Sequence, residues 1–153
     1  MHEYTATIRW HRQGARFTDV RYSRAHEWIF DGGARVPASS SPNVVPKPFS
    51  LESAVDPEEA LVASASSCHM LTFLYFAARR GFVVESYTDE PVGVMGKNAA
   101  GKDMITKITL HPQIVFAGDS RPTEEDLRAL HRQAHDDCYI ANSLLTEIVV
   151  AGW

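Results

Sequence analysis

The stretch from Asp56 to Gly81, DPEEALVASASSCHMLTFLYFAARRG, decides the fold of this 153-residue chain. Asp56 is typical of a helix N-cap and Pro57 of the first helical position, and the two glutamates that follow suit the positive end of a helix dipole. Two arginines and Gly81 form a stop signal at the other end. We therefore predict a long helix over residues 56–80.

No Asp, Glu, Lys or Arg occurs between Leu61 and Ala78. An uncharged run of this length is near the lower limit for a transmembrane helix. Its serines, its threonine and its histidine favour a different interpretation, a helix buried on most sides within a fold or an assembly. We expect no membrane contact.

Short strands are predicted before this helix. Residues 4–10 alternate between two faces, as in a half-buried strand, and residues 17–22 and 26–30 have strand-like composition. Residues 3–36 are therefore predicted to form N-terminal strands. Residues 37–55 contain four prolines and are predicted to be a loop.

Strands and a second helix are predicted after the first helix. Residues 82–116 are interpreted as three strands, at 82–88, 91–96 and 104–116, with a hairpin loop before the last of them. A capping-box pattern at Thr123 opens a helix over 123–138, and residues 144–150 form the last strand. This order predicts a single α+β domain over residues 1–153.

The composition of the chain argues against some classes of function. The formal net charge is −4, which argues against a nucleic-acid binder that relies on general electrostatics. Two cysteines are too few for a disulfide scaffold, and the N-terminus has no secretory-signal pattern. We expect a cytoplasmic protein whose thiols are reduced by default.

Cys68 lies in the middle of the first helix, where the helix dipole no longer reaches it. Lowering a thiol pKa by about two units takes about 2.7 kcal/mol, which one cation at roughly 4 Å can supply. If Cys68 is a nucleophile, an Arg or Lys must therefore reach it from elsewhere in the fold. The alternative is a small buried hydrophobic side chain, the usual role of free cysteine.

Cys138 falls on the apolar face of the second helix or just beyond its end. If the two helices pack together, the sulfurs of Cys68 and Cys138 could lie within bridging distance. One thiolate could then be oxidised to a sulfenic acid with which the other thiol condenses. A stable disulfide is an alternative, and so is a weak metal site formed by His69, His131 and His135 with a cysteine.

Glu58 lies ten residues before Cys68, about 15 Å along one straight helix, so the two side chains cannot meet within one chain. Small residues between them would let a second helix approach closely. Two such helices packed antiparallel would bring Glu58 of one chain near Cys68 of another, which favours a homodimer with a shared site. The alternative is that Glu58 only complements the helix N-terminus.

Two motifs resemble those of a known family. Residues 56–61 with Ala65-Ser66-Ser67-Cys68-His69-Met70 resemble the first-cysteine motif of the OsmC/Ohr family of thiol-dependent peroxidases. Residues 134–142, AHDDCYIAN, resemble its second-cysteine motif. The 70-residue spacing of the cysteines and the element order match over nearly the whole chain.

The resemblance implies an intertwined α+β homodimer in which antiparallel sheet wraps a long central helix. It also implies reduction of organic hydroperoxides, and in some members of hydrogen peroxide. Cys68 would be the peroxidatic thiol, Cys138 the resolving thiol, and Glu58 the acid that orients an active-site arginine. Arg24 is the first candidate for that arginine and Arg35 the second.

The remaining expectations concern the substrate and the reductant. Met70, Phe73 and Tyr139 could receive an alkyl tail, although Phe73 is explained equally well as core. An external dithiol would complete the cycle, with no cofactor or metal. The chain departs from common members of the family at His69 and His135. Two alternatives stay open: a hot-dog-like thioesterase with Glu58 or Asp56 as base, and a non-enzymatic binder of a small ligand or metal.

Overall fold

The computed structural model describes residues 1–153 and has the α+β class that the sequence predicts. It contains two α-helices and eight strands, and the strands form three hydrogen-bonded sheets. The chain divides into two compact units, residues 1–60 and residues 61–153. The first helix, α1 (Pro57–Arg79), begins in one unit and continues into the other.

The N-terminal unit is built on an antiparallel three-stranded sheet. Its strands are β1 (Ala6–Arg9), β2 (His26–Phe30) and β3 (Arg35–Ala38), paired in that order. The strand predicted over residues 17–22 is wrong, because this segment forms turns. Phe17 and Val20 have φ angles of 66° and 63°, in the left-handed region that strands do not use.

Residues 39–56, which follow β3, form turns. One isolated bridge pairs Val55 of this segment with Ala38 of β3. At the end of this segment, Asp56 caps α1. Its carboxylate accepts a hydrogen bond from the backbone N–H of Glu59 at 2.8 Å, and the Glu59 carboxylate accepts one from the backbone N–H of Asp56 at 3.3 Å. This reciprocal pair is a capping box, and it satisfies two backbone donors at the helix start.

Two small sheets form in the second unit. Strands β4 (Val83–Thr88) and β7 (Gln113–Ala117) pair antiparallel, whereas β5 (Val92–Lys97), β6 (Asp103–Leu110) and β8 (Glu147–Val150) form a separate sheet in the order β5-β6-β8. The hairpin of β5 and β6 is antiparallel, but β8 pairs with β6 in parallel. The single strand predicted over 104–116 is interrupted at Pro112, which lacks the N–H that a continuous strand would donate.

The second helix, α2 (Glu124–Asp136), has the predicted capping box at Thr123, whose hydroxyl accepts a hydrogen bond from the Asp126 N–H. The helix ends before Cys138, with Asp137 as its C-cap. A short 3-10 helix (Ala141–Ser143) comes next and leads towards β8. Cys138 therefore lies just beyond α2, one of its two predicted locations.

Two clusters of buried apolar side chains hold the second unit together, and α1 contributes to both. In the first, Ala65 packs with residues of β6 and β8. In the second, Phe73 and Ala77 pack with Leu130 and Ala134 of α2. Cys68 lies between these two parts of α1, so the packing on either side fixes its position along the helix.

By length and composition alone, α1 is the one helix that could cross a membrane, and 28% of that apolar stretch is buried. The core helix of a soluble protein passes the same test. Two large apolar side chains of the helix, Leu71 and Tyr75, remain exposed, at 61% and 55%. The helix therefore presents an uncovered apolar face.

Candidate functional site

The two cysteines, 70 residues apart in the sequence, are neighbours in the second unit. Both are free thiols, with Cys68 partly exposed and Cys138 buried. Burial raises the pKa of Cys138 to about 11, and the adjacent Cys68 side chain adds to the rise. The expectation that the two helices bring the cysteines together agrees with this arrangement.

Hydrogen bonds to each cysteine fix its backbone. The Thr72 hydroxyl donates to the Cys68 carbonyl at 2.9 Å, and the Asn142 amide donates to the Cys138 carbonyl at 3.0 Å. The backbone N–H of Ala141 donates to the Cys138 sulfur at 3.4 Å, which opposes the rise in its pKa. Such a donor would also stabilise the thiolate of Cys138 when the thiol loses its proton.

An open cavity of about 620 Å³ lies beside the cysteines. One wall comes from α1 and the other from the end of α2 and the segment after it; the lining residues are Leu71, Thr72, Tyr75, Phe76, Asp136, Asp137, Tyr139 and Asn142. Thr72 and Asn142 are the two residues that bond to the cysteine carbonyls. The cavity is therefore lined by residues that bond to the backbone of both cysteines, although neither cysteine belongs to the lining itself.

The three residues expected in a substrate pocket have different locations. Tyr139 lines the cavity and is largely exposed. Met70 is half-buried and is not part of the lining. Phe73 is fully buried against Tyr87 and His131, so it belongs to the core, the second of its two predicted roles.

Arg24 is held by its own loop in the N-terminal unit. Its guanidinium donates to the carbonyls of Val20 and Tyr22 and lies 3.8 Å from the centre of the Tyr22 ring. It forms no ion pair with Glu58 or any other carboxylate. Within one chain, the structure therefore does not join the predicted Arg24–Glu58 pair.

Arg35, the second candidate, is paired differently. Its guanidinium binds both carboxylate oxygens of Glu27 on the neighbouring strand, at 2.8 and 3.0 Å. Because this ion pair offsets its charge, Arg35 has less to offer a thiolate than Arg24, whose charge has no carboxylate partner.

Comparison with known proteins agrees with this fold and spacing. Residues 50–151 match the family described as OsmC-like protein. The chain belongs to this family. An OsmC-like protein of unknown function from Vibrio cholerae is 54% identical, with a TM-score of 0.96 and 98% of each chain covered.

More distant solved structures share the fold alone. An organic hydroperoxide resistance protein from Elizabethkingia anophelis has a TM-score of 0.70 at 16% identity, covering 98% of this chain and 96% of its own. The organic hydroperoxide resistance protein OhrB of Bacillus subtilis has a TM-score of 0.65 at 14% identity, covering 97% and 96%. A search of curated proteins found no match. An OsmC-like fold removes the structural basis for the hot-dog-like thioesterase interpretation.

A buried histidine pair accompanies the cysteines of this OsmC-like protein. The Nε2 atom of His69 lies 3.1 Å from Nδ1 of His131, and the two side chains are 1% and 3% exposed. The His131 ring also lies against Phe73 and Trp153, with centroids 4.7 and 5.4 Å away. The sequence placed both histidines in a weak metal site and marked His69 as a departure from the family pattern, but it did not predict their pairing, because nothing local pairs residues 62 positions apart.

Burial lowers the pKa of both imidazoles to about 4. At His69, positive charge on His135 lowers the pKa further, whereas the charge of Asp89 raises it. At His131, the neighbouring His69 lowers the pKa further. Both rings are therefore neutral at pH 7. The Nδ1 atom of His69 is buried with no hydrogen-bond partner. Whichever ring donates the shared proton, this atom stays unsatisfied, at a cost of about 1–3 kcal/mol.

The metal alternative is not supported. His135 is exposed and His131 is committed to His69, while Cys138 lies beside Cys68. No group of three or more His, Cys, Asp or Glu side chains is placed to hold a metal ion. The arrangement in this unit is instead suited to thiol chemistry beside an open cavity.

Proposed function

We propose that this OsmC-like protein is a cysteine-based peroxidase that reduces organic hydroperoxides and protects against oxidative stress. The observation that carries the proposal is the adjacency of two free thiols from distant parts of the chain, beside an open cavity. The named function of several structural relatives, organic hydroperoxide resistance, points the same way.

The proposed cycle has three balanced steps. The Cys68 thiolate attacks the distal peroxide oxygen, the O–O bond breaks, and the alkoxide takes a proton and leaves as an alcohol, so that Cys68 becomes a sulfenic acid. The Cys138 thiol attacks the Cys68 sulfur, a disulfide forms and water leaves. An external dithiol exchanges with this disulfide, restores both thiols and is itself oxidised.

The partly exposed Cys68 suits the first step and the buried Cys138 suits the second. Peroxide reaches an accessible thiolate more easily than a buried thiol, and a pKa near 11 keeps Cys138 protonated until Cys68 has reacted. This difference supports the peroxidatic role for Cys68 and the resolving role for Cys138 that the family resemblance implies.

Arg24 is proposed as the cation that stabilises the Cys68 thiolate, with Glu58 as its orienting acid. Arginine keeps its charge when buried and offers a planar set of donors. The absence of any carboxylate partner for Arg24 within the chain leaves its charge available for this role.

A homodimer is proposed as the form in which the arginine and the thiol meet. The exposed apolar side chains of α1 and the exposed small residues Ala63 and Ser67 suit a second copy of the helix. Light scattering at micromolar concentration tests this proposal: a mass of twice 17.0 kDa supports it and a monomer contradicts it.

The function is tested by hydroperoxide consumption with dithiothreitol as reductant. We expect wild-type turnover of cumene hydroperoxide, loss of at least 1,000-fold in Cys68→Ser, and a milder loss in Cys138→Ser because a small thiol can replace the resolving one. Turnover that neither substitution slows would contradict the proposal, and no turnover by the wild type would favour a non-enzymatic small-ligand binder.

A further inference from the structure

Each cysteine is fixed to one helix, so the distance between the two sulfurs depends on how α1 and α2 meet. Cys68 lies within α1. The backbone N–H of Cys138 donates to the His135 carbonyl at 3.3 Å. That of Asp137 donates to the Gln133 carbonyl at 3.1 Å, so the backbone hydrogen bonds of α2 continue as far as the cysteine. A shift of one helix along the other would therefore change the distance between the thiols.

Apolar packing defines the meeting of the two helices only loosely. Phe73 and Ala77 of α1 pack against Leu130 and Ala134 of α2. Such contacts have no preferred direction, and apolar cores that keep their volume lose a unique arrangement before they lose stability. Holding two thiols at bonding distance requires a more specific contact.

The His69–His131 contact is the one side-chain hydrogen bond that joins α1 to α2, and it is buried. The nearest ion pair, Arg80 with Asp126 at 3.8 Å, starts just beyond the end of α1 and is partly exposed, so it constrains the helices little. A hydrogen bond is directional, and a shifted register would leave two buried imidazoles without their partner. The histidine pair therefore favours a single register.

Stability alone does not explain this pair. The Nδ1 atom of His69 is buried without a partner, a cost that apolar side chains of similar size would avoid. Replacing a buried polar pair by apolar side chains is often neutral or stabilising. In paired helices, a single buried polar residue can fix the register at a cost in stability. The place of His69, directly after Cys68 in α1, indicates what such a register would serve.

We propose, on the basis of the peroxidase function above, that His69 and His131 are positioning residues, which hold α1 and α2 in the register at which the two thiols meet. They act in the resolving step, in which the Cys138 thiol attacks the Cys68 sulfenic acid, the S–O bond breaks, a disulfide forms and water leaves. Neither ring hydrogen-bonds to a sulfur. Loss of their shared hydrogen bond should lower the effective concentration of one thiol at the other about tenfold, which corresponds to about 1.4 kcal/mol.

The test measures formation of the Cys68–Cys138 disulfide in buffers of reduced and oxidised glutathione at pH 8, without peroxide. The two thiols lose two hydrogen atoms to one oxidised glutathione, which becomes two reduced glutathiones. In His69→Phe with His131→Phe, the ratio [GSH]²/[GSSG] at half oxidation should fall about tenfold. Urea denaturation of the reduced protein at the same pH should give a free energy of unfolding no lower than that of the wild type.

Two further variants separate positioning from general packing. His69→Gln, whose amide can take the place of Nε2, should keep the ratio close to the wild-type value. Leu130→Ala is the matched control, because it removes apolar packing from the same interface and leaves both imidazoles. It should lower the free energy of unfolding and leave the ratio close to the wild-type value. Should the larger rings prevent folding, leucine at both histidine positions gives the same comparison.

An unchanged ratio in the apolar double variant would overturn the inference. So would an equal fall in Leu130→Ala, or a fall in His69→Gln as large as in the double variant. Turnover of cumene hydroperoxide by the wild type separates the two proposals. Turnover with a ratio that does not depend on the histidines overturns only the inference, whereas no turnover with a ratio that does depend on them overturns only the peroxidase function. A wild type that forms no disulfide in any of the buffers overturns both.

Discussion

The two compact units of this chain hold their side chains in different ways. In residues 61–153, which contain both cysteines, side chains such as Phe73 and Leu130 are fully buried. In residues 1–60, the only buried apolar side chains are Ala38 and Ala54, and Arg24 is held by local carbonyls and one aromatic ring. The thiol pair thus rests on a packed core, whereas the proposed cation lies in a segment fixed by local contacts.

The largest expected difference between the units is in stability. Phe73→Ala should lower the free energy of unfolding by about 3–5 kcal/mol, because it removes a fully buried ring from a close-packed cluster. Trp10→Ala, which disrupts the partly exposed Trp10–Phe17–Tyr22 cluster, should cost about 1–2 kcal/mol. Urea denaturation followed by circular dichroism measures both, and equal losses would contradict the contrast between the units.

The next effect concerns the proposed cation. Arg24→Gln should lower kcat/KM for cumene hydroperoxide about 100-fold at pH 7, because it removes the proposed positive charge beside the attacking thiolate; a 100-fold loss corresponds to about 2.7 kcal/mol. Arg35→Gln, whose guanidinium is paired with Glu27, is the matched control. A larger loss in Arg35→Gln would reverse the assignment.

Acid should destabilise the second unit through its buried imidazoles. The folded pKa values of His69 and His131, about 4, lie below the value of 6.5 for an exposed imidazole, so the unfolded chain takes up protons first as pH falls. The free energy of unfolding should decline below about pH 6.5 and level off near pH 4. Between pH 7 and pH 5, each ring should account for a decline of roughly 2 kcal/mol.

Replacing both rings, His69→Phe with His131→Phe, should flatten this dependence of the free energy of unfolding on pH, measured by urea denaturation at several pH values. His11→Gln, at an exposed position of the N-terminal unit, should leave it unchanged. A slope that survives in the double variant would show that other groups cause the acid sensitivity.

The smallest expected effects are at the helix caps. Asp56→Ala and Thr123→Ala each break a capping box and should each cost about 1 kcal/mol. Asp56 lies in the N-terminal unit and Thr123 in the other, so the two variants compare equivalent caps in the two regions. A loss of less than about 0.3 kcal/mol at Asp56 would mean that tertiary contacts alone fix the start of α1.

Local signals made much of this fold predictable. Asp56 and Pro57 predict the start of α1, and Thr123 predicts the start of α2. Gly81 predicts the end of α1, because its φ of 80° is a conformation that glycine adopts without strain. The sequence predicts the adjacency of Cys68 and Cys138 as a consequence of helix packing, because Cys68 lies within α1 and Cys138 follows directly after the end of α2.

Features set by distant contacts escaped prediction. Phe17 and Val20 are good strand formers, yet the cluster of Phe17 with Trp10 and Tyr22 accompanies turn conformations there. The parallel pairing of β8 with β6 and the His69–His131 pair join segments that no local pattern relates. The orientation of Arg24 depends on loop geometry, which residue order does not specify.

Oxidation of the thiol pair tests the central claim most directly. Reduced protein is treated with one equivalent of cumene hydroperoxide, quenched with an alkylating reagent and digested without reductant for mass spectrometry. We predict one cross-linked species joining the Cys68 and Cys138 peptides, lighter by two hydrogen atoms than the two thiol peptides combined. Recovery of both cysteines as alkylated thiols, with the peroxide unconsumed, would contradict the account.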